Sequence, residues 1–166
     1  MQKVTYFVAT TIDGRIAAED GSFDMFVNEG EHVTDYLSAL RSFDAVIMGR
    51  HTYEVGTSVG VRDPYPYLRT FVFSKTLAPV DAPNVTIVGD ESPASYVQRL
   101  KEREGRGIYL CGGGILAGHL LEHDVIDEII IKLNPVIAGS TGRPLFQGTS
   151  TSRSLELVDS KVYASG

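Results

Sequence analysis

VIMGRHTYE (46–54) is the stretch on which the fold turns. An apolar run begun in FDAVIM (43–48) stops at Gly49-Arg50, and Thr52 follows two residues later. A strand that passes through a glycine directly into a helix leaves the first helical N–H groups without intrahelical partners, facing the strand's end. IYLC (108–111) stops in the same way at Gly112-Gly113-Gly114, and FVFSKT (71–76) ends on a hydroxyl and a cation, Ser74-Lys75. Three strand ends therefore carry small, hydroxyl or basic groups. A phosphorylated dinucleotide needs such a surface: helix-start N–H groups for the pyrophosphate, and a cation with a hydroxyl for an extra phosphate.

Outward from this block, strands and helices alternate. VTYFVA (4–9) reads as a mostly apolar strand, and IDGRIAAEDGSF (12–23), with two Asp-Gly steps, as a loop with turns. Residues 31–42 place Val33, Tyr36, Leu37 and Leu40 at helical spacing, with acids at the start and Arg41 at the end. TFVF (70–73) and VTIV (85–88) are strands. Ser92-Pro93 opens a helix that buries Val97 and Leu100, exposes KERE (101–104) and stops at Gly105. GIYLC (107–111) is a strand, a helix runs from about Gly114 to His123, and IDEIIIKL (126–133) is a strand ended by Asn134-Pro135. A late strand is expected over 154–163. The alternation predicts one domain, 1–166: an α/β three-layer αβα sandwich with a mostly parallel, mixed central sheet. Ligands on such sheets sit at the C-terminal strand ends, where all three motifs lie.

Composition narrows the chemistry. A net charge of −6 with no Lys/Arg block argues against nucleic acid as a main partner. The single cysteine, Cys111, excludes an internal disulfide and a Cys-rich zinc site, and its apolar neighbours read it as a small buried hydrophobe. No apolar run reaches membrane-spanning length and MQKVTYFVATT is not a signal peptide, so a cytoplasmic location is the default. His119 and His123 form HLLEH rather than HExxH, which reads as a solvated stripe with Glu122, and no metal is expected. G-x-S-x-G, Walker A and zinc-deaminase patterns are absent.

Each motif has a plainer reading beside the functional one. The glycine triplet is either a tight strand-to-helix turn or a phosphate approach; it satisfies G-x-G-x-x-A through Ala117, yet the next strand ends Lys132-Leu133-Asn134 without the acid of a Rossmann fingerprint. Arg50 either grips a phosphate with Thr52 beside it or is solvated at a helix start. Ser74-Lys75 suits a 2′-phosphate or simply ends an edge strand. Asp13 is a turn residue, a loop clamp or a proton donor, with the turn favoured by Asp13-Gly14. Tyr53 and Tyr109, inside apolar patterns, are most simply core.

In order, the segments TTIDGRIA (10–17), FDMF (23–26), DAVIMGRHTYE (44–54), FVFSKTL (71–77), the run 108–146 and the ending SKVYASG (160–166) resemble the dihydrofolate reductase-like superfamily. The branch most similar contains the reductase domain of bacterial riboflavin biosynthesis. The resemblance spans nearly the whole chain. It implies an oxidoreductase using NADPH as hydride donor to a pterin-like or ribosylaminopyrimidine-like substrate, and a homodimer. By matching positions it implies Gly49, Arg50 and Thr52 on the cofactor phosphates and Ser74 and Lys75 at the 2′-phosphate. It further implies Gly112, Gly113, Gly114, Ile115 and Leu116 along the pyrophosphate and nicotinamide side, and Ala9 and Ile16 at the nicotinamide. Asp13 is the candidate proton source, with an ordered water as the alternative.

Three departures from the family pattern bear on function. Where folate reductases carry a carboxylate on the first helix, this chain has Val33; Glu31 and Asp35 are each displaced by roughly 200° around the helix. Basic groups for a ribose phosphate are not evident beyond Arg15 or Arg69. The family pattern continues past the Ser160-x-x-Tyr163-x-x-Gly166 region into one more strand, so a last strand is expected to be lacking. The first and last of these departures support an alternative: a non-catalytic dimeric module of the same fold that binds NADPH or another nucleotide.

Overall fold

The computed structural model describes residues 1–164. Its central sheet has six strands: β1 (Val4–Thr11), β3 (Ala45–Gly49), β4 (Arg69–Phe73), β5 (Val85–Val88), β6 (Ile108–Gly112) and β7 (Glu128–Asn134). They lie in the order β5-β4-β3-β6-β1-β7, and every neighbouring pair is parallel. Antiparallel pairing is confined to a small ribbon of β2 (Arg15–Ala17) and β8 (Arg143–Pro144). β2 falls inside the segment read from sequence as a loop.

Four nine-residue helices cover the sheet: α1 (Glu31–Ala39, then a 3₁₀ turn Leu40–Ser42), α2 (Arg50–Ser58), α3 (Pro93–Lys101) and α4 (Gly114–Glu122). Strand alternation sorts the core into two layers. Ala45 and Ile47 point with Tyr6, Ile108 and Leu110 toward Val97 of α3 and Leu120 of α4. Val46 and Met48 point the other way, with Tyr109 and Val72, toward Tyr53 of α2 and Leu40 beyond α1.

Three local readings change. On α1 the inward residues are His32 and Tyr36, with Leu40 just beyond, while Leu37 is 55% exposed. Lys101, expected in solvent, is buried because its ammonium reaches the Val125 carbonyl (3.2 Å) and Asp127 (2.7 Å). Among the described residues, 154–163 forms no strand, and Leu155, Leu157 and Val158 are exposed. Gly166, the end of the Ser-x-x-Tyr-x-x-Gly ending, lies outside the described residues.

The chain runs from β1 outward through β3, β4 and β5, then returns to insert β6 between β3 and β1. That reversal is the topological switch point of an open parallel sheet, and a crevice opens there.

Candidate active site

The three strand ends singled out in the sequence are neighbours. Gly49 stands level with Phe73 of β4, so Ser74 follows beside it, and Met48 stands level with Gly112 of β6. They border one groove of about 1490 Å³. All twelve residues matched to cofactor contacts line it: Ala9, Ile16, Gly49, Arg50, Thr52, Ser74, Lys75, Gly112, Gly113, Gly114, Ile115 and Leu116.

The half formed by β4, β3 and β6 is built largely of backbone. α2 starts from Gly49 and α4 from Gly113, and neither cap residue supplies a side-chain hydrogen bond. Two sets of first-turn N–H groups are thus left for an external acceptor, and both carry the positive end of a helix dipole. The peptide bond Gly112–Gly113 is cis, and Gly112 has φ 135°, a region that excludes most side chains. A Cβ at Gly113 would lie 3.4 Å from Thr52 Oγ1, so the glycine keeps the floor open beside that hydroxyl. Gly114 has a different reason: a Cβ there would meet the Pro144 carbonyl at 2.2 Å. It serves the seating of α4 against the 143–147 segment and also lines the groove.

Arg50 Nη1 donates to Thr76 Oγ1 at 3.5 Å and its Nε lies 3.7 Å from Glu54, which lays the guanidinium along the groove between α2 and the end of β4. Ser74 Oγ accepts from the N–H groups of Thr76 (3.2 Å) and Leu77 (3.0 Å), so its own proton is left to donate. Lys75 lines the groove with no partner among the described residues.

The other half, over β1, β7 and the body of β6, is built of side chains. Tyr36 Oη lies 3.0 Å from Tyr109 Oη and 3.4 Å from Tyr65 Oη, and Tyr65 Oη lies 3.4 Å from Cys111 Sγ. Burial pushes all three phenols and the thiol up from their ordinary values, so they stay neutral. Tyr109 and Cys111 are thus part of a polar cluster as well as core; Tyr53, whose hydroxyl donates to the Arg62 carbonyl at 2.6 Å, stays a core residue. Asp35 accepts from Lys161 Nζ (2.5 Å) and Tyr163 Oη (2.9 Å), which hold its carboxyl below the usual range. Val33 lines the groove as an apolar wall. Arg69, one of the two guesses for a phosphate cation, pairs instead with Asp44 at 3.2 Å.

Asp13 does not border the groove. Its carboxylate accepts from Thr11 Oγ1 (2.6 Å) and from the N–H groups of Ala138 (3.0 Å) and Gly139 (2.8 Å). The Thr11 hydroxyl, then those amides, lower its pKa to about 2. A carboxylate so engaged fastens the loop after β1 to the loop after β7. Asp13 also sits in the turn its sequence favours, closed by the Gly14 N–H on the Thr11 carbonyl at 3.0 Å, so turn and clamp are one arrangement, and it stands outside the groove.

Among the described residues no group of three His, Cys, Asp or Glu is placed to hold a metal ion. His119 and His123 lie with ring centroids 4.4 Å apart and planes tilted by 41°, while Glu122 turns to Ser150 and Thr151. No helix among the described residues is long and apolar enough to cross a membrane.

A family model described as the RibD C-terminal domain matches residues 2–166. The chain belongs to the RibD C-terminal domain family. It is 34% identical over 163 residues to the uncharacterized protein YwjB of Bacillus subtilis (strain 168), covering 98% of this chain and 92% of YwjB. The riboflavin biosynthesis protein RibD of Mycobacterium tuberculosis is 27% identical over 148 residues, 82% of this chain but 43% of RibD. A crystal structure from Shewanella sp. PV-4, named for riboflavin biosynthesis, superposes with TM-score 0.80 at 28% identity over 98% of this chain and 92% of that one. RibD of Acinetobacter baumannii gives TM-score 0.68 at 19% identity, covering 95% of this chain and 51% of RibD, a likeness of fold alone. The family and the dihydrofolate reductase-like sandwich agree with the sequence reading.

Tyr36, Tyr65 and Lys132 are groove residues that reading the RibD-like sequence did not single out. Tyr36 carried a signal, its place on an amphipathic helix, but apolar periodicity cannot tell a core phenol from one that also reaches a groove.

Proposed function

We propose that the protein is an NADPH-dependent reductase of a small pterin-like or pyrimidine-like heterocycle. One observation carries this reading: the ends of three adjacent strands, with two helices left uncapped at their starts, border a single groove. The pyrophosphate fits the starts of α2 and α4, with Arg50 as its cation, and the 2′-phosphate fits Ser74 and Lys75. Bound there, NADPH would supply a hydride. The protein's task is to hold the acceptor carbon against it and keep water out, and the aromatic half of the groove supports that task. The neutral phenols offer hydrogen bonds to ring carbonyls without imposing a charge.

A homodimer belongs to the same reading. It is supported by β7, which is an edge strand with Ile131 and Leu133 44% and 58% exposed. Light scattering of the purified protein tests it: a monomer at all concentrations removes the dimer.

The reductase is tested by titrating NADPH and NADH by nicotinamide fluorescence, then following NADPH consumption with dihydrofolate, pteridines and the ribosylaminopyrimidine phosphate. NADPH is expected to bind more tightly than NADH and to be consumed with one of these acceptors. Equal affinities remove the roles of Ser74 and Lys75. The second reading, a binding module without catalysis, is supported by Val33 and by the engagement of Asp35; it expects NADPH binding with no consumption across the panel.

A further inference from the structure

Reduction of a C=N or C=O bond by hydride also needs a proton, and the groove limits where it can come from. Asp13 lies outside it. Asp35 is held as a carboxylate by Lys161 and Tyr163. The phenols and the thiol are made weaker acids by burial. His32 turns Nε2 to the Val27 carbonyl at 3.0 Å and its ring edge to Tyr163, so that nitrogen is already engaged.

Lys132 remains. It stands level with Ala9 in the β1–β7 pairing, on the same face as Phe7 and Ile130, and its side chain lines the groove. Its Nζ donates to the Val27 carbonyl at 2.6 Å, which fixes the head and leaves two N–H bonds free to point elsewhere. Ala9 is the residue matched to the nicotinamide, so Lys132 sits one strand away from where the hydride would leave.

Resting on the reductase reading, we infer that Lys132 is a catalytic residue, the general acid that protonates the heteroatom as the adjacent carbon receives the hydride. The hydride pair forms the new C–H bond. The π pair of C=N or C=O moves to nitrogen or oxygen and takes a proton from Nζ. The neutral amine then recovers a proton from water. Loss of water around the ammonium lowers its pKa, in the direction that makes it a better acid near neutral pH. From α1 and the C-terminal segment, the ionisable groups that line the same groove are His32, Asp35 and Tyr163, and the shift of Lys132 has burial as its one cause.

The test has two arms on the full chain. In the first, NMR of the lysine Cε–Nζ groups is followed with rising pH, with Lys132 assigned by its loss in Lys132→Arg. The Lys132 signal is expected to titrate before every other lysine and to shift when NADPH is added. Titration with the others, or no response to NADPH that demonstrably binds, overturns the assignment and leaves the reductase standing. In the second, with an acceptor the wild type reduces, Lys132→Met is expected to lower kcat about 100-fold with NADPH affinity kept. Lys132→Arg is not expected to rescue it, because guanidinium does not release its proton. Added primary amines are expected to restore part of the rate to Lys132→Ala. An unchanged kcat in Lys132→Met overturns the role. Absence of NADPH binding removes the reductase reading and this inference with it.

Discussion

The two halves of the groove are made of different material. At the ends of β4, β3 and β6 the surface is glycine backbone and helix starts; over β1, β7 and the body of β6 it is aromatic rings, hydroxyls, an ion pair and the Lys132 ammonium. Backbone can meet only a ligand whose chemistry is common to many proteins, such as phosphate. Side chains drawn from five separate elements can meet one particular ring. The first half is therefore suited to a shared cofactor and the second to a private substrate, and perturbations of the two should separate.

The largest effect is expected from Gly114→Ala in the backbone half. The added methyl falls 2.2 Å from the Pro144 carbonyl, a backbone atom that cannot swing aside. A loss of about 3 kcal/mol is expected by urea denaturation, together with weakened NADPH binding. A neutral result would mean that α4 and the 143–147 segment move freely. Next, Arg50→Ala should weaken NADPH by about 1.5–3 kcal/mol, as for a lost charge-assisted hydrogen bond, with little change in stability. An unchanged dissociation constant would separate Arg50 from the phosphates.

In the side-chain half, Tyr36→Phe removes the hydroxyl that joins Tyr109 and Tyr65. It should cost about 1 kcal/mol of stability and alter acceptor KM while NADPH affinity stays constant. If NADPH affinity falls with it, the division between halves fails. The mildest perturbation is acid. Asp13 ionises at about 2 in the folded protein, below the usual 3.8, so the unfolded chain binds the proton more readily. Its contribution to stability is complete above about 4 and is lost as pH falls toward 2. Asp13→Asn should flatten that part of the stability-versus-pH curve without changing NADPH affinity at neutral pH; an unaltered slope would deny the clamp.

The same contrast explains what was legible in the sequence. Strand ends at Gly49, Ser74 and Gly112 are local signals, each written in consecutive residues, and parallel pairing brings them together. The substrate half is written in long-range contacts: Lys132 meets Val27 across 105 residues and Tyr163 meets Asp35 across 128. No window of sequence contains such a pair. Local reading placed Asp13 in a turn, as observed, but Asp-Gly signals that turn whatever the carboxylate does afterward. It missed β2, because three residues with a partner at 143–144 have no periodicity of their own. Gly114 shows a limit of such a motif: the packing of α4 already requires a glycine there, whatever the groove binds.

The most direct test of the account is a crystal structure with NADPH. The pyrophosphate is expected at the starts of α2 and α4, the 2′-phosphate within hydrogen-bond reach of Ser74 and Lys75, and the nicotinamide between Ala9 and Ile16 beside Lys132. A dinucleotide bound outside this groove, or lying in it with the adenosine end over β1 and β7, would contradict the account.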